Sequence, residues 1–368
     1  MLSVIVPTFN EGENVDRLYR AVAEALRDVP FELIYADDST DDTRSRILAL
    51  AETDPRVRLS AGSSRRGLAR AVVEAIDLAE GDVVAVLDAD LQHPPELLPE
   101  LLRTLEETGA DLVVPSRYTR VGSPGGLSLG RYIVSQGARL LAYLVLKEAR
   151  RTTDPLSGFF VVRRRCLEGI ALSPRGWKIL LEVLVRGRVA RVVDVPYAFQ
   201  PRQGGDSKLS LSVELDYLRH LGELFLASPE SQRFWMFAVV GASGVLVNAL
   251  AFWAFLHLGP RYDHFWVTLS SLLASHVAML NNFFWNYSFT WRDQRHQSIL
   301  VHFVRYWIVS EVGSAITAGF AGVLSPIFHS ALWAELIGIA VAVVVTYRLT
   351  NRWVFARPAW KRVHPLRQ

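Results

Sequence analysis

Short apolar runs alternate, along the first half of the chain, with stretches whose apolar residues recur every three or four positions. The first pattern is that of buried strands and the second that of amphipathic helices. It predicts strands over 2–6, 31–36, 57–60 and 83–87, and helices over 13–26, 41–52 and 67–78. In the 13–26 helix, Val15, Leu18, Val22 and Leu26 fall on one face. The 83–87 run is apolar without a break, as a strand is when helices cover both faces of a mostly parallel sheet. Residues 1–7 fit the same strand reading and carry no basic leader, which argues against a signal peptide.

The pattern changes beyond about 231. From 234 to 355 the acidic residues shrink to Asp263, Asp293, Glu311 and Glu335. Four apolar segments, 234–258, 265–289, 303–328 and 332–354, reach the roughly 20 residues that span a bilayer. Arg292, Arg295 and His296 lie between the second and third, and Arg357, Lys361, Arg362 and Arg367 follow the fourth. The first and third connections hold only Arg261, so the positive-inside rule puts the N-terminal half, the middle connection and the C-terminus in the cytoplasm. Similar aromatic and Asn-containing runs close the second and fourth segments, at 284–289 and 349–355, and predict two hairpins in the same orientation. Glu311 is an ionisable residue inside a span; a substrate-path role and an ion pair with Arg305 or Arg348 both fit it.

Between the halves, 209–226 reads as an amphipathic helix and 133–146 less cleanly so. Either could pack on the sheet or lie on the bilayer; the position of 209–226 just before a span favours the bilayer. The expected layout is a sheet domain over 1–208, an interfacial linker over 209–230, a four-helix membrane domain over 231–356 and a basic tail over 357–368. A chain of 368 residues has room for these parts. Its formal charge of +3 forms no stripe, so the expected partner surface is a lipid bilayer and not nucleic acid. A single cysteine, Cys166, excludes a disulfide framework or a Cys-ligated zinc within one chain.

In open α/β sheets, ligands bind just beyond the carboxyl ends of the strands. Those positions are polar here: Pro7-Thr8-Phe9-Asn10-Glu11, Asp37-Asp38-Ser39-Thr40-Asp41 and Asp88-Ala89-Asp90-Leu91-Gln92. Asp88 and Asp90 offer hard oxygens to Mg²⁺ or Mn²⁺, and an ion there would neutralise a diphosphate. Taken alone, the pair is better explained by helix capping before Pro94-Pro95-Glu96; acidic loops after three strands tip the balance to a metal. For Asp37 and Asp38, an Asx turn and contact with a base or ribose stand level. His93 precedes Pro94 and reads as a helix-entry residue.

Taken together these residues resemble glycosyltransferase family 2, and within it the dolichyl-phosphate mannose synthases and their polyprenyl-phosphate relatives. The resemblance runs over about 1–226, through Arg66-Gly67-Leu68, Ser116-Arg117-Tyr118, 154–159, 176–182 and 202–209 besides the loops above. It implies a GT-A-like fold and inverting transfer of a hexose to dolichyl or polyprenyl phosphate. Mannose from GDP-mannose comes first as donor, and glucose from UDP-glucose is the alternative. The family further implies that Pro7, Phe9, Glu11, Asp37 and Asp38 line the nucleoside. Asp88, Ala89, Asp90 and Gln92 then surround the metal and diphosphate. Arg202 and Lys208 close over the donor, and Arg117, Arg131 and Ser135 meet the acceptor phosphate, with Asp90, Arg117 and Arg131 catalytic. Snorkelling at a membrane surface fits Arg131 as well as phosphate contact does. The spacing before Ser39 is one residue shorter than the family's, which leaves open which of Asp37 and Asp38 meets the nucleoside. The second half resembles GtrA-like membrane domains, as an anchor or as a flippase for the lipid-linked sugar. A processive synthase would carry Gln-x-x-Arg-Trp; here Leu349 stands before Arg352-Trp353.

Overall fold

The computed structural model describes residues 1–61, 67–119, 122–123, 125, 129–176, 178–200, 211–260, 263–328 and 331–356. The chain forms two units, Met1–Ser231 and Gln232–Gln368.

The first unit runs β1 (Leu2–Thr8), α1 (Gly12–Ala25), β2 (Phe31–Asp37), α2 (Thr43–Thr53), β3 (Val57–Ala61), α3 (Leu68–Leu78) and β4 (Val83–Val86). It continues with α4 (Leu98–Thr108), β5 (Leu112–Ser116), α5 (Leu129–Val145), β6 (Phe160–Arg163), α6 (Ile179–Arg186), β7 (Val192–Pro196) and α7 (Leu211–Ala227). The strands form one seven-stranded sheet in the order β3-β2-β1-β4-β6-β5-β7. Among the described residues only β6 is antiparallel to its neighbours, β4 and β5. The predicted helix over 41–52 starts two residues late, because Asp41 Oδ1 accepts the Thr43 N–H (3.0 Å) and holds a turn there.

Alternation along β1 builds a core on each face. Val4 and Val6 pack with Leu18 and Val22 of α1, Ile47 of α2 and Leu101 of α4. Ile5 faces the other way, onto Val72 and Ile76 of α3 and Leu180 and Val183 of α6. Each such aliphatic side chain contributes roughly 1.5–3 kcal/mol on burial, and Leu18→Ala would cost about 2–5 kcal/mol. A third cluster joins α5, α6 and α7 through Ala142, Leu146, Leu181, Leu221 and Leu224. One face of α7 is thus packed, while Leu215, Leu218 and Leu226 stay exposed; α5 likewise exposes Ile133, Leu140 and Leu144.

The second unit holds, among its described residues, α8 (Pro229–Leu256, which starts at the end of the first unit), α9 (His264–Trp285), α10 (Ile299–Phe328) and α11 (Ala331–Leu349). Two of these, α8 and α10, are long and apolar enough to cross a bilayer, with 18-residue mean hydropathies of 1.9 and 1.4. α9 and α11 each run into a π-helical turn, Asn286–Thr290 and Thr350–Val354. Each turn is followed by an aromatic, Trp291 or Phe355, and the two rings stack 4.9 Å apart and nearly parallel. Asn286 Nδ2 donates to the Tyr306 hydroxyl (3.0 Å), and Trp291 Nε1 to Asn351 Oδ1 (3.1 Å). Glu311 accepts from the Trp307 indole (3.1 Å), and no ion pair joins it to Arg305 or Arg348 among the described residues. Arg305 instead donates to the Trp353 carbonyl (3.2 Å). The Glu335 side chain and the basic tail lie outside the described residues.

Candidate active site

The carboxyl ends of β1 and β2 are tied together by polar side chains. Thr8 Oγ1 (2.9 Å) and the Ser39 N–H (3.3 Å) donate to Asp37 Oδ1, and Arg44 Nε (3.3 Å) donates to Oδ2. Asp37 is fully buried, so its carboxylate is committed to joining the two strands. Asp38 accepts the Gly67 N–H at Oδ2 (2.9 Å). Asn10 sits at φ +55°, a left-handed conformation that Asn tolerates better than most residues. That turn lets its N–H reach Ser39 Oγ and its Oδ1 accept from the Thr40 N–H, both at 2.9 Å. Glu11 is anchored through its N–H to Thr43 Oγ1 (3.0 Å) and through Oε2 to Asn14 Nδ2 (2.8 Å). Pro7, Phe9, Glu11, Asp37 and Asp38 therefore gather at the ends of two paired strands.

The next strand places the second group. The antiparallel register Val86↔Phe160, continued two residues, sets Asp88 across from Gly158. A Cβ on Gly158 would sit 2.4 Å from Asp88 Oδ2, so only glycine leaves room for the carboxylate. His93 Nε2 lies 3.2 Å from the same oxygen, and the Tyr197 hydroxyl lies 2.9 Å from His93 Nδ1. Desolvation works to raise the Asp88 pKa, but His93, Lys178 and Arg117 outweigh it and hold the carboxyl below its usual range. Leu91 has φ +59°, a backbone that costs a branched residue roughly 1–2 kcal/mol. The strained turn brings the Gln92 N–H back to Asp90 Oδ1 (3.2 Å). Gln92 Nε2 donates to the Gln200 carbonyl (3.1 Å), which turns the amide nitrogen, and not the oxygen, toward the Gln200 backbone.

Among the described residues no three His, Cys, Asp or Glu side chains gather around one point. The oxygens that could serve a metal here are those of Asp88 and Asp90 and the Gln92 amide oxygen. These hard oxygens suit Mg²⁺ or Mn²⁺, which keep positions for substrate phosphate oxygens.

A third group follows β5. Arg117 Nε and Nη2 fork onto Asp154 at 2.7 and 3.0 Å, both residues buried. Burial alone would lower the Arg117 pKa; the Asp154 carboxylate reverses that and keeps it charged. The guanidinium also lies 5.1 Å from the Phe199 ring centroid and 5.3 Å from that of Tyr118. The Tyr118 hydroxyl meets Ser135 Oγ on α5 (3.0 Å), and Arg139 stacks 4.0 Å over the Tyr118 ring. Lys178 Nζ donates to the Leu156 carbonyl (3.1 Å); burial first and Arg117 second pull its pKa down, against Asp88 and Asp154. The Arg131 side chain, Arg202 and Lys208 lie outside the described residues.

Several residues here carried no role in the sequence reading: Asp154, Gly158, Lys178, Tyr118, Arg139 and Tyr197. Asp154, Gly158, Lys178 and Tyr118 sit within the segments that carry the family resemblance, which was the available signal. His93, read as a helix-entry residue, does precede the turn that opens at Pro95, but its side chain is turned onto Asp88.

Residues 3–170 match glycosyl transferase family 2, and 236–355 match the GtrA/DPMS transmembrane domain. The fold and the site thus define a family 2 glycosyltransferase joined to a membrane domain. A dolichol-phosphate mannosyltransferase from Pyrococcus furiosus is 36% identical over 354 residues, covering 96% of this chain and 98% of that protein. The dolichol-phosphate mannosyltransferase of Saccharomyces cerevisiae is 33% identical over 238 residues, covering 61% and 86%. The chain belongs to the dolichol-phosphate mannosyltransferase family. Among solved structures, a glucosyl-3-phosphoglycerate synthase from Mycobacterium tuberculosis aligns at 22% identity and a TM-score of 0.44, over 62% of this chain and 79% of that one.

Proposed function

We propose that the protein transfers mannose from GDP-mannose to dolichyl or polyprenyl phosphate, with inversion, at the cytoplasmic face of the membrane. The observation that carries this reading is the end-to-end match to a relative of that name, across both units. The site supports it in charge: acidic residues close β1, β2 and β4, and Asp88, which follows β4, feels the buried cation of Arg117.

The acceptor is a phosphate monoester whose second pKa is about 6, so near neutral pH it is largely a dianion. It can attack the anomeric carbon directly, and the chain has to align it and offset repulsion between two polyanions. Arg117 suits that task. Asp154 engages Nε and Nη2, which leaves the Nη1 edge for a phosphate oxygen. Ser135, held by Tyr118, and Arg131 on the same helix complete the acceptor set. On the donor side, Pro7, Phe9, Glu11 and Asp38 line the nucleoside. Asp37 supports them from below, since its carboxylate is spent on Thr8, Ser39 and Arg44. Asp88, Asp90 and Gln92 would hold Mg²⁺ or Mn²⁺, which when bound screens the diphosphate and stabilises it as leaving group. Ala89 borders the diphosphate, and Arg202 and Lys208 are assigned to the donor.

The exposed leucines of α5 and α7 suit a bilayer surface. All four helices of the second unit are taken as spans, which makes the protein multi-pass, with the boundaries at 208, 230 and 356 expected from sequence. The basic connections favour the catalytic unit and C-terminus in the cytoplasm by the positive-inside rule.

The test is transfer of labelled sugar to a short polyprenyl phosphate by detergent-purified protein with Mn²⁺, comparing GDP-mannose with UDP-glucose and including Asp90→Ala. A mannolipid that the substitution abolishes supports the reading. A glucolipid moves the donor assignment to UDP-glucose, and no lipid product from either donor refutes it.

A further inference from the structure

Behind Asp88 stands a buried file of two side chains with no part in aligning either substrate. The Tyr197 hydroxyl is 2.9 Å from His93 Nδ1, and His93 Nε2 is 3.2 Å from Asp88 Oδ2. An ionised carboxylate only accepts, so Nε2 carries a proton toward it and Nδ1 accepts from the phenol. Burial keeps that phenol protonated by pushing its pKa up. The imidazole has little freedom to turn: it is 3% exposed, with the Phe159 and Phe199 ring centroids 5.5 and 5.3 Å away. The Gly158 backbone closes against the same carboxylate, and an added Cβ would meet Oδ2 at 2.4 Å and Oδ1 at 2.8 Å.

We propose that His93, backed by Tyr197 and faced by Gly158, is a positioning residue that makes Asp88 a one-oxygen ligand for the divalent cation. It occupies Oδ2 and leaves Oδ1 to the metal. The inference rests on the metal assignment proposed above. Partners of this kind, one shell out from a metal, typically change affinity by about 10–100-fold when removed. A histidine that only filled the core would affect folding and leave metal affinity alone.

Mn²⁺ binding to the full-length protein in detergent, without donor, separates these roles when read from the electron paramagnetic resonance of free Mn²⁺. His93→Ala is expected to raise Kd about 10–100-fold. His93→Gln, which keeps an N–H that can reach Oδ2, recovers part of that loss. Tyr197→Phe keeps the packing, removes only the hydroxyl and raises Kd several-fold. Gly158→Ala pushes on the carboxylate itself and weakens binding with little change in thermal midpoint. The last two variants decide the matter should His93→Ala fail to fold. Kd values within about two-fold of wild type in Tyr197→Phe and Gly158→Ala would overturn the proposal, whatever happens to stability. Wild-type binding that Asp90→Ala abolishes and the Tyr197 and Gly158 variants leave intact sinks this inference alone. A wild-type protein that binds no Mn²⁺ sinks the metal assignment as well.

Discussion

Replacing Asp154 with Asn keeps the side chain's shape and removes its charge, leaving the guanidinium of Arg117, a residue only 9% exposed, ionised without its counter-charge. The two bonds that would lose their ionic character, at 2.7 and 3.0 Å, lie where little water can screen them. Breaking a buried pair from one side costs about 3–5 kcal/mol; Asn retains one acceptor, so the lower end, about 3 kcal/mol, applies. That is a large part of the roughly 5–15 kcal/mol that holds a typical domain folded. At about 2–4 °C per kcal/mol for a unit of this size, the midpoint should fall by roughly 6–12 °C. The protein's only cysteine, Cys166, is buried in the first unit. A thiol-reactive dye therefore reports unfolding of that unit and is blind to the membrane helices. The companion variant Arg117→Met/Asp154→Leu removes both charges; most of the stability should return, while transfer should stay at background with the cation proposed for the acceptor phosphate gone. An Asp154→Asn midpoint within about 2 °C of wild type, or an active double variant, would refute the reasoning.

Three further outcomes follow from contacts described above. Asp37→Ala strands Thr8 and Arg44 and should lower stability by about 2–3 kcal/mol, whereas Asp38→Ala should chiefly raise the KM for donor; the reverse pattern in melting and kinetics would exchange their roles. Burial holds the His220 pKa down to about 4, with Glu223, Arg186 and Arg175 around it. The unfolded chain takes up a proton near pH 6.5 that the folded chain refuses until about 4, so stability falls as pH drops through that window, by up to about 3 kcal/mol. The buried Glu182 carboxyl, raised mainly by its burial, works in the opposite direction and trims the loss. His220→Gln should flatten the fall in Cys166-dye midpoint between pH 7 and 5, and an unchanged slope would count against it. In the membrane unit, Asn286→Ala removes the bond to Tyr306 and should cost about 1 kcal/mol in detergent unfolding; no change would show that the pair is idle.

The first four strands were readable because each is a short apolar run bounded by polar loops, and the helices between them keep a 3.6-residue period. β6 was not, since four residues, Phe160–Arg163, carry no signal of their direction. With β6 went the placement of Gly158 against Asp88, which depends on antiparallel pairing. The Arg117–Asp154 pair was hidden for a related reason: its members are 37 residues apart and meet only through the sheet. Asp37 and Asp38 are chemically identical in a sequence, and only their hydrogen bonds tell the strut that ties Thr8, Ser39 and Arg44 from the carboxylate that accepts the Gly67 N–H. The repeated aromatic endings of the second half were legible as a pattern, whereas the π-turns and ring stacking that they build were not.

The meeting of Asp88 with Gly158 also bears on how such an enzyme can be rebuilt. The chain leaves β4 at Asp88, carries α4, β5 and α5 within 89–157, and returns at Gly158 to enter β6 beside the same carboxylate. Insertions in the loops between these elements leave the pairing of β4 with β6 intact, but one residue gained or lost at 87 or 159 would swap the face presented at the proposed metal site. The residues proposed for the acceptor, Arg117, Arg131 and Ser135, all lie within 89–157; those proposed for the nucleoside lie outside. A cassette cut between His93 and Asp154 and exchanged with a relative's should therefore bring a new lipid preference into an unchanged sugar-nucleotide frame.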